Sequence, residues 1–110
     1  MQARDPAVYL RHIRDCCLEI AKCEGFVKVG EIHESIVFAA VCRNLEIIGE
    51  AANKIDADFR AANPEIPWRQ MISVRNILIH NYDGIEHQIV WAIVGREIPA
   101  LLAAVNNLLR

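Results

Sequence analysis

The chain has 110 residues, 54% of them apolar and only 6% aromatic, with a formal net charge of −2 and a pI of about 6.1. That length suits one domain, residues 1–110, around one core. Apolar content drawn from Ala, Ile, Leu and Val suits packed helices rather than a β-sandwich, and the slightly acidic balance excludes a global positive field that would gather nucleic acid.

Asp5-Pro6 reads as an N-cap followed by proline at the first helical position. A helix is predicted from there to about Cys23, with Val8, Ile13, Cys17, Ile20 and Ala21 on its apolar face. Gly25 and Gly30 are read as bracketing a loop. A second helix is predicted from near Glu31 or His33 to about Ile55. Its stretch Ile36 to Cys42 is apolar on every side, where a surface helix should keep one wet face. Either this helix lies centrally in the bundle or a second subunit covers its outer side, and the small size of the domain favours the second subunit. Asp56 to Ala62 reads as a short helical turn, and Asn63-Pro64 and Ile66-Pro67 then break the chain. A third long helix runs from Pro67 to about His80, ended by Asp83-Gly84. The last helical region covers about Ile85 to Leu109, and Pro99 is expected to kink or divide it near Ile98. The expected fold is therefore all-α, an antiparallel bundle of four or five helices.

Cys16, Cys17, Cys23 and Cys42 fit neither zinc-ligand spacing nor a CxxC redox motif. They are expected to be small core residues in a reducing cytoplasm. No signal peptide opens the chain and no run of about 18 apolar residues is present, so no membrane span is expected. No metal or other cofactor is expected either. His12, His33 and His87 lack ligand partners at suitable spacing, and Trp68 and Trp91 fall on apolar helical faces.

Two constellations bear on chemistry. The first is Arg75-Asn76-Ile77-Leu78-Ile79-His80-Asn81-Tyr82. Arginine keeps its charge and presents a fork suited to phosphate oxygens. Histidine exchanges a proton near neutral pH. Together they can move a proton and steady developing charge at a phosphodiester. Five residues of helix, however, separate Arg75 from His80 by about 140°, so they converge only if the helix unwinds or a second copy supplies its own pair. Asn76, four before His80, is placed to hydrogen-bond the imidazole. The second constellation is a polar stripe of Arg43, Glu46, Glu50 and Asn53 on the second helix. Arg43 is expected to neutralise one carboxylate and Arg75 the other. Gly49, in mid-helix, is expected to allow close approach by another helix.

Four blocks carry a resemblance to a known family. They are Arg43-Asn44-Leu45-Glu46-Ile47-Ile48-Gly49-Glu50-Ala51, Pro64-Glu65-Ile66-Pro67-Trp68, Arg75-Asn76-x3-His80-x-Tyr82, and Val90-Trp91 with Ile98-Pro99-x-Leu101. In order and spacing the chain resembles the HepT-like branch of the HEPN superfamily. The resemblance implies an all-α HEPN bundle that forms a homodimer and serves as the toxin of a toxin-antitoxin module. It implies a metal-independent endoribonuclease acting on mRNA or tRNA, with Arg75 and His80 as the active site and Asn76 beside them. Arg43, Glu46 and Glu50 would support Arg75. It also implies a minimal nucleotidyltransferase antitoxin (MntA-like) that transfers AMP from ATP to Tyr82. Two other readings stay open: a non-catalytic HEPN module that binds a nucleotidyltransferase or a nucleotide, and a purely structural helical dimer.

Overall fold

The computed structural model describes residues 5–30, 32–81 and 85–110. Tyr82, the Asp83-Gly84 turn signal and Glu31 lie outside the described residues.

The first helix, α1 (Pro6–Val29), begins where Asp5 Oδ1 accepts the Ala7 amide at 2.9 Å. It runs well past Cys23. Glycine within a helix costs about 1 kcal/mol relative to alanine, a deficit that the packing of Cys23 and Val27 against the core offsets at Gly25. The stop is Gly30, whose φ of 70° only glycine adopts readily. Its amide donates to the carbonyls of Phe26 and Val27. The two glycines therefore do not bracket a loop.

The second helix, α2 (Glu34–Lys54), is capped by His33, whose Nδ1 accepts the Ser35 amide. Val37, Val41, Leu45, Ile48 and Ala52 form its buried stripe at spacings of three and four, so one face of the apolar segment is satisfied within the chain. On the other side Ile36 stays 63% exposed. The short α3 (Ala57–Ala62) is capped by Asp56, whose carboxylate accepts the Phe59 amide at 2.9 Å. The Asn63–Pro67 connection is pinned by Trp68, buried, whose indole N–H donates to the Asn63 carbonyl at 2.9 Å.

The fourth helix, α4 (Trp68–His80), packs on α2. The last, α5 (His87–Leu108), returns along α1 and buries Val90, Val94, Ile98, Leu101 and Val105. Pro99 does not divide it. Residues Ile93–Glu97 form a π-turn in which the Ile98 amide reaches back to the Ile93 carbonyl. A proline ring clashes with the carbonyl four residues earlier, here that of Gly95, and the wider turn relieves that crowding. By length and composition α5 is apolar enough to cross a membrane, although its inward stripe is core to this bundle.

Among the described residues the architecture is all-α. The core is an apolar cluster, and among the described residues no charged or polar side chain is buried in it. A hollow of about 300 Å³ remains between α2, α4 and α5, walled by Leu45, Ile48, Met71, Val74, Ile98 and Leu101.

Candidate active site

α4 presents Arg75 towards α2 at a place where the two backbones come unusually close. A Cβ on Gly49 would overlap the Arg75 Cβ and sit 2.6 Å from the Met71 carbonyl oxygen. Only glycine leaves room for the base of the arginine side chain there. The guanidinium then turns onto Glu50. Arg75 Nε donates to Glu50 Oε2 at 3.0 Å, and Nη2 lies 2.9 Å from the same oxygen. Nη1 donates to Asn76 Oδ1 at 2.9 Å. The arginine side chain is 25% exposed, so it is seated and still reachable. Charge-assisted bonds of this length are the strong ones, and partial burial reduces their screening.

Asn76 is thus spent differently from the expectation. Its carbonyl oxygen faces Arg75, its neighbour in sequence, and no described hydrogen bond joins it to His80. An arginine one residue away offers a charged donor, and such charge-assisted bonds to an amide oxygen are strong.

His80 is the last residue of α4 and is exposed. The helix stays regular through it, with the Asn81 amide donating to the Ile77 carbonyl at 2.8 Å. Arg75 and His80 therefore project in different directions from one chain. The structure brings together Arg75, Glu50 and Asn76, and leaves His80 apart from them.

Arg43 and Glu46 approach to 4.0 Å, with the arginine 70% exposed. Both line a groove of about 360 Å³ with Phe38, Ala39, Cys42, Leu78 and Ile85. That groove lies between α2 and the last turn of α4, so the polar stripe runs beside the helix end that carries His80. Nearby, His87 stacks on Phe38 with ring centroids 3.7 Å apart, and the Trp91 indole donates to Glu34 at 3.1 Å.

Cys16 and Cys17 are core residues and take no part in this site. Burial pushes the Cys17 thiol up to about 12 and the Cys16 thiol to about 11, with the neighbouring charges of Asp15 and Glu19 adding to the second shift. Such thiols do not form the thiolate a nucleophile needs. Among the described residues no three His, Cys, Asp or Glu side chains group closely enough to hold a metal ion.

A family model described as "Ribonuclease HepT-like" matches residues 8–108. The chain belongs to the HepT-like ribonuclease family. Its HepT-like relatives include "Putative RNase MJ1380" of Methanocaldococcus jannaschii, 37% identical over 92% of this chain and 94% of that protein. "Putative RNase TTE0752" of Caldanaerobacter subterraneus is 32% identical over 97% of this chain and 96% of its own. "Probable ribonuclease HepT" of Thermococcus cleftensis is 50% identical over 56% of each chain. No solved structure matches the chain. In this HepT-like chain the seating of Arg75 over Gly49 is the feature that sequence reasoning located least well. A glycine in mid-helix indicated close packing, but nothing in the pattern said which residue would occupy the space.

Proposed function

We propose that the protein is a metal-independent endoribonuclease acting as the toxin of a toxin-antitoxin module. His80 takes the proton of a ribose 2′-hydroxyl, whose oxygen attacks the adjacent phosphorus. Arg75 binds the non-bridging oxygens and stabilises the charge that gathers on them. The partner's His80, or water, protonates the departing 5′-oxygen. The products are a 2′,3′-cyclic phosphate and a 5′-hydroxyl end.

What supports this most is the seating of Arg75. A guanidinium held by Glu50 and Asn76 is preorganised to receive phosphate, and an exposed imidazole ends the same helix. The splay between the two side chains is met by a homodimer that lines one cleft with two such pairs. Ile77 and Ile79 on α4 and Ile36 on α2 remain exposed apolar surface such a partner would cover. The antitoxin in this proposal is a nucleotidyltransferase that adds AMP to Tyr82. The added phosphate would bring an anion into the sequence neighbourhood of Arg75 and repel RNA.

The test is RNA cleavage by the parent and by His80→Ala. General acid–base catalysis contributes about 10²–10⁴-fold in rate, so the variant should lose activity on that scale with its melting temperature unchanged, while DNA, lacking the 2′-hydroxyl, resists the parent. Cleavage by His80→Ala at the parental rate refutes the assignment. Mixing inactive Arg75→Ala with inactive His80→Ala should restore part of the activity if one cleft draws on both chains. The purely structural helical dimer is favoured by one observation, the bridge from Arg75 on α4 to Glu50 on α2. It predicts that Arg75→Ala lowers the melting temperature markedly rather than merely removing activity.

A further inference from the structure

At the opposite end of α4 from His80, a hollow of about 610 Å³ opens between α3 and the first turns of α4. Arg60 on α3 lines it together with Arg69, Gln70 and Ser73 on α4 and Glu65 in the connection. Two arginines and one carboxylate are therefore among its lining residues. Neither arginine forms an ion pair with a described carboxylate. Asp56, at the start of α3, is occupied by the Phe59 amide. Arg60 Nε is buried and meets no acceptor among the described residues, so no hydrogen bond at that atom ties the Arg60 guanidinium to a neighbour in the chain.

The backbone adds donors at the same place. Pro67, at the N-cap of α4, supplies no side-chain cap. The Trp68 and Met71 amides donate to the Ile66 and Pro67 carbonyls, while the Arg69 and Gln70 amides between them have no backbone partner among the described residues. Free amides at the positive end of a 13-residue helix favour an anion.

The hollow is also in line with the candidate active site. Arg69, Ser73, Asn76 and His80 follow one another at spacings of four, three and four, which is one face of an α-helix. All four are exposed. Eleven residues of helix carry this stripe over about 16 Å along the axis.

We propose that the hollow is a phosphate subsite for the RNA backbone, in which Arg60 and Arg69 hold a phosphate a few nucleotides from the scissile one. The planar fork of arginine suits a phosphate better than a point charge does. The subsite rests on the nuclease reading for the identity of its polymer, but binding there does not require cleavage.

The experiment measures binding of a fluorescein-labelled RNA of about twelve nucleotides, 2′-O-methylated so that it cannot be cut, across a salt series. The proteins are the parent, Arg69→Ala, the double variant Arg60→Ala/Arg69→Ala, and Arg60→Lys/Arg69→Lys. Loss of one phosphate contact on a single strand lowers the salt slope by about 0.7. Arg69→Ala should show that loss with a several-fold weaker affinity, the double alanine variant more, and the lysine pair less than the alanine pair. Parental affinity and salt slope in both alanine variants overturn the subsite. If the double variant fails to fold, Arg69→Ala decides alone, since its side chain is exposed and unpaired. A parallel titration with ATP separates the sources of phosphate: ATP binding lost in Arg69→Ala while RNA binding persists overturns the RNA assignment. The two readings fail separately. A parent that binds RNA through Arg69 yet leaves unmethylated RNA intact keeps the subsite and refutes the nuclease. A parent that cuts RNA with binding indifferent to Arg69 refutes only the subsite. A parent that binds no RNA refutes both.

Discussion

Replacing Gly49 by alanine asks whether the α2–α4 contact positions Arg75. The added Cβ would overlap the Arg75 Cβ and lie 2.6 Å from the Met71 carbonyl oxygen, against 3.4 Å for the onset of ordinary contact. Neither obstacle is the tip of a flexible side chain, so α4 must retreat by at least 0.8 Å, which the carbonyl oxygen alone requires, and by more for the closer Arg75 Cβ. Alanine favours the helix by about 1 kcal/mol over glycine, and overpacking typically costs about 1–3 kcal/mol. The expected net is a loss of up to about 2 kcal/mol. For a domain of this size that lowers the melting temperature by several degrees, at about 4–8 °C per kcal/mol. The retreat also stretches the Arg75–Glu50 contact, and misplacement of about 1 Å can cost about 100-fold in rate. Gly25→Ala is the internal control, because nothing lies within 4 Å of its new Cβ. It should raise the melting temperature by the helix preference alone, about 0.5–1 kcal/mol. Thermal unfolding and RNA cleavage of both variants provide the assay. A Gly49→Ala protein as stable and active as Gly25→Ala would refute the claim that this contact positions the arginine.

Two further outcomes follow from the chemistry of the chain. Burial holds the Cys17 thiol near 12 and the Cys16 thiol near 11, against 9.0 for the unperturbed group. The folded state therefore keeps its protons where the unfolded chain releases them. Stability should be fully present below about pH 9 and fall as pH rises towards 12, by up to about 1.4 kcal/mol per pH unit for each thiol. Cys17→Ala should flatten that fall in a melting-temperature series, and an unchanged slope refutes the cause. Incubation with the proposed nucleotidyltransferase and ATP should add one AMP to the peptide containing Tyr82, read by mass, and abolish cleavage. Lost cleavage with an unmodified peptide would point to steric inhibition instead.

Much of the fold was legible because its signals are local. Asp5-Pro6 and Asp56 announce helix starts through side-chain caps, and the Asn63–Pro67 prolines exclude a continuous helix. Gly25 and Gly30 look alike in sequence, and only tertiary packing decides that the chain continues through the first and stops at the second. Pro99 carries the same ambiguity, since a π-turn within Ile93–Glu97 absorbs its ring and no residue pattern predicts that turn. At the candidate site, Arg75 and His80 stand out by chemistry and their 140° separation follows from helix geometry. The choice of Asn76 by Arg75 rather than His80 depends on rotamers that spacing does not specify. The hollow at Arg60 stayed hidden for a different reason. Its two arginines lie nine positions apart on different helices and meet only when the proline-rich connection folds back.

α4 is held asymmetrically. On the α2 flank its backbone sits against Gly49 with no slack. On the α5 flank it borders the 300 Å³ hollow, which Met71 and Val74 line and which opens to the surface beside Gln70 and Glu97. Close-packed contacts resist compression, so α4 has no room to move towards α2 and yields only on its α5 flank. The helix bearing both candidate catalytic groups therefore has one hard stop, at Gly49, and one side with room to give.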